Sequence, residues 1–174
     1  MAAKLQVALD LLQGKRALQI AVEAVEGGAD WIEAGTPLIK SEGMDIVRSL
    51  KKKCPGKVIV ADLKTMDVGA LEAEMAAKSG ADVVVIMGVS SDSTISEAVL
   101  AAARYGAKVM VDLMGVSDPV KRSKEVAALG AAYVCVHLAV DEQMKGLTAR
   151  SLASLIRKIP VGVAVAGGIT ADAQ

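Results

Sequence analysis

The segment KVIVADLKTMDVG, residues 57–69, places Asp62, Lys64 and Asp67 directly after an apolar run. Charges at the end of an apolar strand are costly unless they are paired or hold a ligand. A lysine flanked by Asp62 and Asp67 keeps its proton, because nearby negative charge favours the ammonium form. That argues against a Schiff base and for a fixed cation that stabilises a developing oxyanion. Glu33, in DWIE, and Asp62 form a carboxylate pair of the kind that holds a hard cation such as Mg²⁺, with waters and substrate oxygens completing the shell. His137 is the one histidine in the chain, and imidazole is the side chain best suited to acid–base work near neutrality. Gly167 and Gly168, in AVAGGI, let an anion come close to the backbone. Asp10 and Asp112 end two further apolar runs.

Each of these residues also has a plainer reading. Asp10 fits a loop or helix cap, the Asp62–Lys64–Asp67 set a structural ion network, and His137 a satisfied core histidine. Two glycines after a strand fit an ordinary turn. Trp31 reads as interior filling, the KKK run at 51–53 as a solvated helix end, and Met44, Met66, Met75 and Met144 as packing residues. Convergence favours the functional reading, since separate segments bring compatible groups to the same end.

Short apolar runs must do the positioning. They are LQVALD (5–10), ADWIEAG (29–35), KVIVADLK (57–64), ADVVVIMG (81–88), KVMVDLMG (108–115), AYVCVHL (132–138) and VGVAVAGGI (161–169). Each is of strand length and rich in β-branched residues, and Ala/Glu/Lys/Leu-rich helical patterns lie between them. EGGAD, KSGAD and ALGAA each close a helix with glycine and lead into the next run, while SDP at 117–119 opens a helix with Pro119 in its first turn. Alternating strands and helices give parallel strands with crossover helices. An open doubly wound sheet and a (β/α)₈ TIM barrel both satisfy this pattern. No G-x-G-x-x-G follows the first strand, and the polar residues sit at the ends of many strands, which favours the barrel. Seven runs are counted where closure needs eight. The expectation is therefore one barrel domain over residues 1–174 that lacks its eighth βα unit.

Side chains alternate along a strand, so Val58, Val60, Asp62 and Lys64 share a face. Trp31 shares one with Glu33, and Tyr133 and Cys135 share one with His137.

Composition narrows the partners. Lys plus Arg equals Asp plus Glu at 20 each, and aromatics make up 2%. This gives neither a basic patch nor stacking platforms for nucleic acid. Cys54, in the polar KKKCPGK loop, and Cys135, in an apolar strand, carry no metal-type spacing and read as free thiols. MAAKLQVALD lacks a signal-peptide core and no run is long enough to cross a bilayer, so the expectation is a soluble cytoplasmic protein without a membrane partner.

Asp62-Leu-Lys64-Thr-Met-Asp67 after a barrel strand resembles the D-x-K-x-x-D motif of the orotidine monophosphate decarboxylase suprafamily. LQVALD, DWIEAGTPLIKSEGM, VADLKTMDVGALEAEMAAKSGADVV, DPVKR and VAGGI make essentially all 174 residues similar to its hexulose-6-phosphate synthase group. The resemblance implies a barrel that joins formaldehyde to the sugar phosphate ribulose 5-phosphate by a Mg²⁺-dependent aldol addition through an enediolate. It implies Glu33 and Asp62 as metal ligands, Asp10, Lys64 and Asp67 as substrate-contacting residues, and His137 as the proton-transfer group. Asp67 is then expected to reach into the site of a partner in a homodimer. Asp112, Val140 and Ala166 stand where the sister 3-keto-L-gulonate 6-phosphate decarboxylases carry Glu, Arg and Thr. Asp112 and Ala166 join Gly167 and Gly168 as expected substrate-binding positions, the glycines at the phosphate. A decarboxylase of that sister type and a non-catalytic sugar-phosphate sensor are the alternatives.

Overall fold

The computed structural model describes residues 3–143 and 158–169. Its strands are β1 (Gln6–Leu9), β2 (Trp31–Ala34), β3 (Val58–Thr65), β4 (Val83–Met87), β5 (Lys108–Asp112), β6 (Tyr133–His137) and β7 (Gly162–Ala166). The helices between them are α1 (Gly14–Glu26), α2 (Thr36–Glu42), α3 (Asp45–Lys53), α4 (Gly69–Lys78), α5 (Asp92–Ala103), α6 (Pro119–Ala128) and α7 (Val140–Gln143). All seven strands are parallel and lie in one sheet in chain order, β1 through β7. A doubly wound sheet reverses its strand order at a switch point. This sheet never reverses, so its progression is that of a TIM barrel. The expected absence of an eighth βα unit concerns chain beyond Ile169 and lies outside the described residues.

The sheet separates two apolar clusters, as alternation requires. The outer one joins strand residues such as Ile32, Ile59, Val84, Val109 and Val134 to the helices. Small helix residues, among them Ala17, Ala21, Ala73, Ala76, Ala98 and Ala102, are fully buried there and let the helices lie close to the sheet. The inner cluster holds Val60, Val83, Val85, Met110 and Cys135, with Trp31, Val58 and Tyr133 packed against it. Trp31 meets Tyr133 edge-on at 5.3 Å, which bears out its reading as interior filling. Each large side chain buried in this way contributes about 1.5–3 kcal/mol before entropy is counted.

The glycine helix ends recur with one geometry. Gly28, Gly80 and Gly130 have φ of 99°, 99° and 98°. The N–H of the following alanine turns back to the helix in each case: Ala29 to Ala24, Ala81 to Ala76 and Ala131 to Val126. Only glycine adopts this left-handed position without strain.

Three smaller expectations change. Cys54 is buried at the end of α3 rather than set in an open polar loop. Lys51 of the KKK run is drawn onto both oxygens of Asp82 at 2.7 Å, so it is not simply solvated. Met66 and Met75 are exposed and do not pack into a core. Met144 lies outside the described residues. Among the described residues no helix is long and apolar enough to cross a membrane.

Candidate active site

The inner face turns polar at the carboxyl ends of the strands. Glu33 follows Trp31 on β2, and Asp62 stands two residues beyond Val60, the register partner of Glu33 on β3. Asp112 follows Met110 on β5, and His137 follows Cys135 on β6. Parallel pairing thus brings residues from four strands to one rim.

A chain of polar contacts runs along it. The Lys64 ammonium donates to Asp62 Oδ2 at 2.6 Å and to Asp112 Oδ2 at 3.4 Å. The same Asp112 Oδ2 meets His137 Nδ1 at 2.7 Å, and Asp112 Oδ1 accepts the Met114 N–H at 2.9 Å. Asp112 is 2% exposed. Both of its oxygens have partners within the protein, and its contacts with Lys64 and His137 join it to the two cationic groups of the rim.

The partners of Lys64 also correct the sequence reading. Its ion pairs among the described residues are with Asp62 and Asp112, not with Asp67. The cause is local backbone geometry. Lys64 has φ 47°, a left-handed conformation rare for a residue with a side chain. The β3–β4 register slips between Ala61 and Thr65 at the same place. This irregularity breaks the simple alternation and swings the lysine toward β5. Asp67 lies beyond it, exposed, accepting the N–H of its neighbour Val68 at 2.8 Å. It lines a separate groove of ≈ 360 Å³ between the starts of α4 and α5.

Electrostatics follow from these contacts. Burial pulls the Lys64 ammonium down, but the Asp62 and Asp112 charges outweigh it and the net shift is upward. Burial pushes Asp112 up, yet the His137 bond and the Met114 N–H bring it below the usual carboxylate range. His137 is raised, chiefly by its hydrogen bond to Asp112. Glu33 is pushed up to about 7 by burial and by the Asp62 charge, in spite of a hydrogen bond from Gln6.

Asp62 Oδ1 is buried and has no hydrogen-bond partner among the described residues. A lone carboxylate oxygen beside a Glu33 that resists ionisation describes a place short of positive charge. Both observations fit a hard divalent cation such as Mg²⁺, which takes oxygen ligands.

The remaining expected positions fall around this rim. Asp10 follows β1, is exposed, and adds to the negative potential at Glu33. A side chain on Gly35 would strike Asp10 Oδ1 at 2.1 Å, so the glycine leaves room for that carboxylate. Ala166 pairs in register with His137, and Gly167 and Gly168 follow with φ of 87° and 67°. The sequence reading missed Gln6, although Gln6, Ala8 and Asp10 alternate onto one face of LQVALD and that pattern was its signal. It also gave DPVKR no task. Arg122 donates to the carbonyls of Gly88 and Ser90 at 2.7 and 2.9 Å and pairs with Asp92. Gly88 N–H in turn bonds the Asp112 carbonyl at 2.7 Å. Arg122 thus anchors the loop after β4 against the strand that carries Asp112.

Parallel strands in barrel order, with carboxylates, a lysine and an imidazole gathered on the carboxyl rim, define an α/β-barrel protein equipped for acid–base chemistry. The chain belongs to the Orotidine 5'-phosphate decarboxylase / HUMPS family, whose profile matches residues 3–174. It is 47% identical over 167 residues to a 3-hexulose-6-phosphate synthase of Mycobacterium gastri, an alignment covering 95% of this chain and 80% of that relative. A crystal structure of a 3-hexulose-6-phosphate synthase superimposes with a TM-score of 0.93 at 47% identity, covering 97% of this chain and 81% of that one. A crystal structure of KGPDC from Streptococcus mutans superimposes with a TM-score of 0.84 at 29% identity, covering 97% and 79% of the two chains. The expected resemblance to the hexulose-6-phosphate synthases is borne out.

Proposed function

We propose that the chain is a 3-hexulose-6-phosphate synthase, an aldehyde-lyase that joins formaldehyde to ribulose 5-phosphate and runs the reverse cleavage with the same groups. The observation that carries this reading is the continuous chain Asp62–Lys64–Asp112–His137 on the rim. The 47% identical relative bears the same activity in its name.

Glu33 and Asp62 would hold Mg²⁺, which when bound supplies Lewis-acid stabilisation of an enediolate. Asp112 holds His137 through Nδ1, which leaves Nε2 to take the C1 proton of the ketose phosphate. Lys64, kept charged by Asp62 and Asp112, donates to the oxygen that becomes negative as that proton leaves. The carbanionic carbon then attacks formaldehyde. Formaldehyde offers almost nothing to bind, so positioning energy must come from the phosphate. Gly167 and Gly168 offer their backbone to it just after the strand that pairs with His137. Asp10 faces the sugar hydroxyls from β1.

A homodimer completes the proposal. Asp67 is exposed among exposed apolar neighbours, Met66, Val68 and Leu71. A second copy covering this surface would bury them and bring Asp67 to its own site. The cytoplasm is the proposed compartment.

The decarboxylase reading has the 29% identical KGPDC behind it. Against it, position 140 is a valine, 69% exposed, which supplies no cation near the proton donor. The deciding assay follows formaldehyde-dependent loss of ribulose 5-phosphate across Mg²⁺ concentrations, beside release of carbon dioxide from 3-keto-L-gulonate 6-phosphate. Carbon dioxide release without formaldehyde fixation would replace the proposal with the decarboxylase. Ligand binding with neither reaction would favour a sensor.

A further inference from the structure

One oxygen, one sulfur and one nitrogen ligand meet beside the rim. A carboxylate oxygen of Asp112, the thiol of Cys135 and a ring nitrogen of His137 all lie within 4.8 Å of one another. The topology compels this. Asp112 and Cys135 are register partners on β5 and β6, and His137 stands two residues beyond Cys135 on the same inner face. The donor set differs in kind from Glu33 and Asp62, which offer oxygen alone. Sulfur and imidazole select Zn²⁺-like ions, whereas Mg²⁺ prefers all-oxygen shells.

We propose that Asp112, Cys135 and His137 form a second metal site, specific for thiophilic d¹⁰ cations such as Zn²⁺ and Cd²⁺, whose occupation switches the enzyme off. The inhibitory half rests on the assignment of His137 as the base; the binding half does not.

Charge and geometry both allow it. The Asp112 carboxylate and a Cys135 thiolate neutralise a divalent ion. The thiol proton leaves to solvent. The Nδ1 proton of a neutral imidazole moves to Nε2, so binding releases one proton and changes no oxidation state. Two ligands on one ion, with bonds of about 2.0–2.1 Å, stand roughly 3.3 Å apart in a tetrahedral site. The 2.7 Å contact between His137 Nδ1 and Asp112 Oδ2 must therefore open by about half an ångström. Lys64 must give up its 3.4 Å contact with Asp112, and it keeps the 2.6 Å contact with Asp62. Inhibition follows directly, because an ion on Nδ1 leaves a proton on Nε2, the atom that must accept one.

The experiment uses the Mg²⁺-loaded protein and Cd²⁺ as probe. Cys54→Ser leaves Cys135 as the only cysteine. This variant is expected to show the ultraviolet cadmium–thiolate band, saturating at one ion per chain, and to lose activity in step with it. Cys135→Val keeps an apolar strand residue at that position. It is expected to fold, to retain basal turnover, to show no such band from this site, and to need at least roughly tenfold more Cd²⁺ for the same inhibition. Absence of the band in Cys54→Ser overturns the site outright, whatever Cys135→Val does. Equal Cd²⁺ sensitivity in Cys135→Val, or inhibition reversed by excess Mg²⁺, overturns the inhibitory role and puts the ion at Glu33 and Asp62. The band is read without turnover, so a failure of the synthase reading leaves the binding result standing.

Discussion

The two ends of the sheet treat charge in opposite ways. At the amino ends the ion pairs are closed. Asp82, just before β4, receives both contacts from Lys51 and also the Ile59 N–H at 2.7 Å. Asp30, just before β2, receives Lys4 and the Leu5 N–H in the same manner. Both follow a Gly-Ala pair, and both tie a neighbouring strand to a helix exit. At the carboxyl ends four carboxylates, Asp10, Glu33, Asp62 and Asp112, gather around the rim, and the cationic partners found there among the described residues are Lys64 and His137. One buried oxygen there has no partner among the described residues, and burial beside Asp62 pushes one glutamate up to about 7. Structural ion pairs end in mutual satisfaction, whereas the rim is left incomplete, as the proposed binding of a cation and an anionic substrate would require.

The sharpest test of this contrast removes one aspartate from each end. Asp62→Ala takes away a proposed metal ligand and the shortest contact of Lys64. The expected result is a loss of kcat of roughly 10³-fold with the fold kept, checked by steady-state kinetics and circular dichroism. Asp112→Asn should come next, with kcat lower by about 10²-fold. Its pH profile adds a sign. His137 is raised mainly by Asp112, so the variant's pKa falls toward the ordinary value. The rising limb of rate against pH then moves to lower pH, and a limb left unmoved would show that Asp112 does not govern His137.

Mg²⁺ should matter more as Glu33 loses its proton. Glu33 titrates at about 7, above its ordinary value, so without a cation its share of folding stability falls as pH rises toward 7. Mg²⁺ should offset that loss, and the rise in melting temperature on adding it should grow through the same range. A pH-independent shift would place the ion elsewhere. At the other end Asp82→Ala should cost about 1–3 kcal/mol by leaving Ile59 N–H unpaired, with kcat per folded molecule unchanged. Lys4→Ala, at an exposed pair, should give the smallest effect, seen only as a slight change in thermal melting.

Much of this was legible beforehand. Apolar runs separated by helical patterns located every described strand, because burial on both faces and crossover helices leave a simple periodic trace. Alternation also placed Trp31 with Glu33 and Cys135 with His137. At Lys64 a left-handed residue and a register slip make spacing a poor guide to partners, although the lysine still meets Asp62 as alternation expects. Asp67, three residues further on, looked like a partner for the same reason. Gln6 was passed over because an amide carries no conspicuous chemistry until a carboxylate is seen beside it.

The amino-acid sequence by itself determined the element order, the parallel barrel-type sheet and which groups stand at strand ends, since these depend on local periodicity and on residue type. Tertiary structure alone decided the partners: that Asp112 joins Lys64 to His137, that Asp62 keeps one oxygen unmatched, and that Cys135 lies within reach of both Asp112 and His137. The two contacts of Asp112 cross 25 and 48 residues of chain. They are settled by inter-strand register and by a single left-handed residue, neither of which leaves a mark in the spacing of charges along the chain.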